Sequence, residues 1–179
     1  ISSELNCNDF FDIKDFNHIE FFVGNAKQAA FYYIRSFGFK PHAYSGPETG
    51  SKQKVSYVLK QNKIFFIFTS PLNSNNHISD WISLHGDGVR DIAFKVDSSQ
   101  EAHSLVISRG AVSNRANLSF DDENGFYEFS SMKTYGDTIH SFISNKRYNG
   151  LWAPNFIRLD IPFDKKNICG LKKIDHVVG

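Results

Sequence analysis

Two histidines head nearly the same short segment at opposite ends of the chain. Asp15 to Gly24 reads DFNHIEFFVG and Ile174 to Gly179 reads IDHVVG, so His18 and His176 each open an apolar stretch that closes on glycine. A strand-borne imidazole can ligate a metal or carry a proton, and its neighbours decide which. Alternation puts His18, Glu20 and Phe22 on one face of a strand and Ile19, Phe21 and Val23 on the other. The same phasing sends Asp91 and His140 from two further strands toward the side of His18, with Ile139 and Ile143 taken as residues of the opposite side. Two imidazoles and a carboxylate are the donor set of a non-haem Fe(II) facial triad. Inward-facing polar residues are also commonly paired core groups, and His18 beside Glu20 suits an internal ion pair. That second reading carries the greater weight. His176 draws its interest from the repeat alone. No phosphate-cradling glycine loop, GxSxG, HExxH or CxxC pair is present.

Elements must position these residues, and the chain spells them out in order. After the strand Phe16 to Val23, Asn25 is placed to cap a helix in which Ala26, Ala29, Ala30, Tyr33, Ile34 and Phe37 share one stripe, with Gly38 as its stop. Strands are expected at Lys40 to Tyr44, Val55 to Lys60 and Lys63 to Thr69, the last two joined through Gln61-Asn62. A connecting helix spans about Asn76 to His85. The order then begins again: a strand from Val89 to Val96, a capping box at Ser98 to Glu101, a helix carrying Ala102, Leu105 and Val106, and strands near Ala111 to Arg115, Phe126 to Met132 and Thr138 to Ser144. The expected fold is α+β, two βαβββ modules whose helices cover one face and whose opposite faces line a shared hollow. Residues 1–14 read as a flexible arm, 15–144 as the domain, and 145–170 as a linker that packs Leu151, Trp152, Phe156 and Ile157. Residues 171–179 read as the first strand of a second such domain.

Composition narrows the partners. The 179 residues carry 20 Lys and Arg against 19 Asp and Glu, a net charge of +1, which offers nucleic acid or an anionic membrane no attraction. Apolar residues make up 41%, including 18 Phe, enough for a folded core. The longest apolar run, Ile64 to Phe68, is too short to span a bilayer. No basic-then-apolar leader opens the sequence, so a cytoplasmic protein with Cys7 and Cys169 reduced is expected.

Six segments, FNHIEFFVGNAKQAAFYY, GFKP, ETGSK, HGDGVRDIAF, TYGDTIHSFI and IDHVVG, together resemble the 4-hydroxyphenylpyruvate dioxygenase family over nearly all of residues 16–179. HGDGVRDIAF and TYGDT are the specific ones. A strand beginning with His occurs throughout the wider vicinal-oxygen-chelate superfamily, whose glyoxalase/bleomycin-resistance-like half-barrels are built from paired βαβββ modules. The resemblance implies a two-domain enzyme whose amino-terminal barrel is mostly structural and whose Fe(II) lies in the carboxy-terminal one. It places the first iron ligand on His176, and the other two, a His and a Glu, on later strands. In the first barrel the position matching the second metal His holds Asp91, and that matching the Glu falls near His140.

The implied reaction takes a 2-oxo acid and O2 to homogentisate and CO2 in tyrosine and phenylalanine catabolism, in a homodimer or larger homo-oligomer. Residues 1–179 alone are expected to be inactive. The alternatives are a 4-hydroxymandelate synthase and a metal-free small-ligand module of the same superfamily. A glyoxalase or extradiol dioxygenase remains open on fold alone, without accounting for HGDGVRDIAF.

Overall fold

The computed structural model of the chain describes residues 11–164 and 169–178. Most of the expected arm, Cys7, four linker residues and Gly179 lie outside them. Of the arm's described residues, 11–14, Phe11 packs edge-on to Phe142 at 5.2 Å between ring centroids, and the other three are exposed.

The first module runs β1 (Asp15–Phe22), α1 (Ala26–Phe37), β2 (Lys40–Ser45), β3 (Lys54–Gln61) and β4 (Ile64–Pro71). Helix α2 (His77–His85) leads to the second: β5 (Gly88–Lys95), α3 (Ser99–Ser108), β6 (Ser113–Asp122), β7 (Gly125–Lys133) and β8 (Ile139–Tyr148). The linker adds β9 (Ile157–Arg158). The described strands form one sheet in the order β6-β7-β8-β5-β1-β4-β3-β2-β9. Within each module the first and last strands are parallel, β1 with β4 and β5 with β8. The modules meet where β1 runs antiparallel to β5, with Ile19 opposite Ile92 and Glu20 opposite Asp91.

Local chemistry accounts for the helices. The Asn25 side chain accepts the Gln28 N–H at 3.0 Å, and Gly38 ends α1 at φ 68°, a left-handed conformation that costs glycine little. Each of the six residues expected on the α1 stripe packs in the cluster with Val23, Phe39, Leu59 and Phe68. In the second module Ala102 and Val106 of α3 pack with Val96 and Phe142. The Ser98 hydroxyl caps α3 by accepting the Glu101 N–H at 3.2 Å.

Both specific motifs serve the framework. In HGDGVRDIAF, Asp87 Oδ1 accepts the Gly24 N–H at 2.7 Å, tying the end of β1 to the start of β5. In TYGDT, Thr134 and Thr138 join through their hydroxyls at 2.7 Å, and Asp137 holds His85 of α2 at the same distance.

The strands extend past their expected ends most in β6. Its ten residues are nearly all exposed, so it lacks the apolar alternation that marks a strand from sequence. The linker follows a path that periodicity could not show. Leu151, Trp152 and Phe156 pack on Ala43, Val58 and Ile67, β9 pairs with β2, and Leu159, Ile161 and Phe163 reach the α1 core. Ile157 faces solvent. Residues 169–178 carry no regular secondary structure. They lie against the β3–β4 turn, where the Lys63 N–H donates to the Lys172 carbonyl at 3.1 Å and Ile174 touches the α1 cluster.

Candidate functional site

Helices α1 and α3 cover one face of the sheet, and its other face encloses a hollow of about 540 Å³ that α2 borders through His77. Side chains reach it from as far apart in the sheet as Ser56 on β3 and Phe120 on β6, so the sheet is curled into a half-barrel. The linker strap from Trp152 to Phe156 closes one side.

His18 lies here, buried, with its ring 5.6 Å from that of Trp152. Its Nδ1 stands 2.8 Å from Asn17 Oδ1. An amide oxygen only accepts, so Nδ1 donates and Nε2 keeps its lone pair. Burial pushes His18 down to about 4, against the opposing pull of Glu20, and leaves it neutral near neutrality. The expected His18–Glu20 ion pair is not formed. Glu20 instead accepts the Thr69 hydroxyl at 2.6 Å, and Thr69 in turn meets Ser56 at 2.8 Å.

Asp91 also lies in the hollow, 4% exposed. Ser141 donates to both its oxygens, its N–H to Oδ1 at 3.1 Å and its hydroxyl to Oδ2. Burial raises Asp91 to about 7, Ser141 works against that rise, and the Glu20 charge adds to it. Tyr127 lines the same wall, its phenol pushed up by burial and then by Asp91.

His140 does not join them. The parallel register sets Asp91 beside Ile139 and Ile92 beside His140, so Ile139, Ser141 and Ile143 share the hollow side of β8. His140 sits on the helix side, 5.1 Å from the Phe94 ring and with Nδ1 3.2 Å from the Ile92 carbonyl. Period-2 phasing failed because β8 is apolar on both faces, Phe142 against the helix and Ile139 and Ile143 away from it. Pairing with β5 settles the phase, and sequence alone shows no pairing. The side chain that β8 places beside Asp91 is Ser141.

His176 is distant from all of this. Its side chain is 74% exposed, with Nδ1 2.9 Å from Asp175 Oδ2. Among the described residues no three His, Cys, Asp or Glu side chains converge as a metal site. The hollow therefore does not fit Fe(II). His18, His77, Glu20 and Asp91 all line the hollow, but no three of them converge as a facial triad requires, and Glu20 and Asp91 are already engaged by Thr69 and Ser141.

Sequence reasoning missed three cations at the mouth, Lys54, Arg90 and Arg115. Arg90 Cζ stands 5.8 Å from the Phe22 ring centroid, and Arg115 Cζ stands 5.8 Å from that of Phe129. Arg90 precedes the hollow-facing Asp91, and Arg115 sits on a strand without alternation, so neither had a pattern to betray it.

Comparison with known proteins bears on what this architecture is. The chain is 42% identical over 172 residues to 4-hydroxyphenylpyruvate dioxygenase of Dictyostelium discoideum, 39% over 168 to that of Caenorhabditis briggsae and 41% over 170 to that of Xenopus tropicalis. The chain is a relative of the 4-hydroxyphenylpyruvate dioxygenases. The matches take in 92–93% of this chain but only 43–47% of those proteins, so it spans less than half the length of its relatives. No family model matches it.

Among solved structures, a triple mutant of 4-hydroxymandelate synthase from Streptomyces coelicolor superposes with a TM-score of 0.69 at 25% identity, covering 73% of this chain and 38% of that one. A methylmalonyl-CoA epimerase from the same organism gives 0.61 at 15%, covering 74% of this chain and 97% of the epimerase. The fold is thus the vicinal-oxygen-chelate half-barrel that the family resemblance implied. In this dioxygenase relative HGDGVRDIAF supplies two groups that line the hollow, Arg90 and Asp91, and otherwise joins the two modules.

Proposed function

We propose that this chain is the amino-terminal half of an Fe(II)-dependent dioxygenase that converts 4-hydroxyphenylpyruvate and O2 to homogentisate and CO2 in tyrosine and phenylalanine catabolism. The observation that carries the proposal is identity of about two residues in five across 92% of the chain to relatives of that name, of which it spans less than half. The half-barrel of residues 15–144 is then a framework, and 145–170 a strap that leads to a second barrel. Residues 171–179 open that barrel and contribute His176 as one iron ligand. The exposure of His176 and, among the described residues, its contact with the neighbouring Asp175 suit a side chain offered to another unit. Iron is assigned outside the first hollow, whose donors do not fit it. The enzyme is read as a cytoplasmic homo-oligomer, most simply a dimer, acting on a small 2-oxo acid without nucleic acid or membrane. No described helix is long and apolar enough to cross a bilayer.

The second reading is 4-hydroxymandelate synthase, favoured by the superposition on that enzyme. Product analysis of the full-length protein separates the two: homogentisate supports the first, and hydroxymandelate replaces it with the second. His176→Ala in the full-length protein should abolish both iron retention and turnover. Retention of iron in that variant would remove His176 from the site.

A further inference from the structure

We propose that the hollow of this chain is an organic-anion site. Its ligand is a small aromatic carboxylate, with the ring among Phe22, Tyr127 and Phe129 and the carboxylate held at the mouth by Arg90 and Arg115.

The charges at the mouth do not cancel. Lys54, Arg90 and Arg115 make no ion pair among the described residues. Each guanidinium stands over the face of a ring that lines the hollow, an arrangement that leaves its fork of N–H donors for an incoming acceptor. The three cations outnumber the two acids inside, and neither acid pairs with them: Glu20 accepts the Thr69 hydroxyl, and Asp91 is enclosed by Ser141. His77, also at the mouth, records the excess: burial lowers it first, and Lys54, Arg90 and Arg115 lower it further against Glu20 alone. A carboxylate matches a guanidinium fork bidentately.

The interior selects what the carboxylate is attached to. Its volume of about 540 Å³ lies within the range of small-molecule pockets. The wall presents Phe22, Phe120, Tyr127, Phe129 and Trp152, rings that suit a flat apolar body. A bare inorganic anion would leave that surface against water. This inference does not depend on where iron binds, because the chain alone contains every group it uses.

The test is titration calorimetry of the chain with 3-phenylpropanoate at low salt. Acetate and 3-phenylpropanol serve as probes that each keep half of the chemistry. Saturable one-to-one binding of 3-phenylpropanoate is expected, weakened by added salt, with no saturation by either half-probe over the same range. Arg115→Gln and Arg90→Gln should each weaken it roughly tenfold, the scale of one lost charge-assisted contact. Arg115 is exposed, so its variant stays informative even where Arg90→Gln disturbs folding. Three results would overturn the proposal: no saturable heat with 3-phenylpropanoate, equal binding of the alcohol, or affinity unchanged in a folded Arg115→Gln chain.

Discussion

Ser141 holds the carboxyl of Asp91 with its backbone N–H and its hydroxyl together, joining β8 to β5 inside the hollow. The carboxyl is thereby satisfied without any ion pair, which is how an acid can remain there at 4% exposure. Ser141→Ala deletes one of the two donors to a buried group. It should cost about 1–3 kcal/mol in urea unfolding and push Asp91 further up. A change within error would mean that water replaces the hydroxyl.

The buried pair of titrating groups makes opposite demands on pH. His18 is held near 4 against an ordinary 6.5, so it carries a penalty that is absent above 6.5 and complete below 4. Asp91 is held near 7 against 3.8, so its penalty is absent below 3.8 and complete above 7. Stability thus rises with pH on account of His18 and falls on account of Asp91 over nearly the same interval. Asp91→Asn should make the unfolding free energy climb more steeply with pH than in the unaltered chain, and His18→Gln should make it fall. His42, His77 and His140 are also pushed down, chiefly by burial, and remain in both variants. Comparison with the unaltered chain therefore isolates each group. Parallel curves for all three proteins would refute the assignment.

Trp152 packs on His18 and, at 4.8 Å between ring centroids, on Phe65, so the strap helps keep water from the imidazole. Trp152→Ala should destabilise the chain by roughly 2–4 kcal/mol, less than a fully enclosed Trp because the ring is half-buried. It should also return the His18 titration, followed by NMR, toward the ordinary range. An unmoved His18 would show that the barrel floor alone desolvates it.

His140 lies outside the hollow, and its substitution separates packing from chemistry. His140→Ala should lower stability by about 1–2 kcal/mol, the scale of a partly buried side chain with one hydrogen bond. It should leave any binding in the hollow unchanged. Titrating the 179-residue chain with Fe(II) or Zn(II) should show no tight stoichiometric uptake, and uptake lost with His18→Ala would restore the metal reading of the hollow.

Gly125 begins β7 at φ 103°, and a methyl group there would run into the Arg147 carbonyl on β8. Gly125→Ala should cost about 1–3 kcal/mol from backbone conformation alone, and more if the hairpin must shift. Chemical denaturation measures it; a neutral result would mean that the β6–β7 turn relaxes freely.

By itself the sequence determined the βαβββ repeat, the capped helices and the side to which β1 and β5 turn His18 and Asp91. Those features are set by neighbours a few residues away: the Asn25 cap, the six-residue stripe of α1, and the polar His18, Glu20 and Asp91 that mark one face of β1 and β5. Tertiary structure alone decided the rest. His140 changed sides because β8 is apolar on both faces and takes its phase from pairing with β5. Trp152 became a wall of the hollow because the linker has no period and settles where apolar surface remains uncovered. Arg90 and Arg115 came to line one cavity only when the curled sheet brought β5 and β6 around it, an arrangement no local pattern encodes.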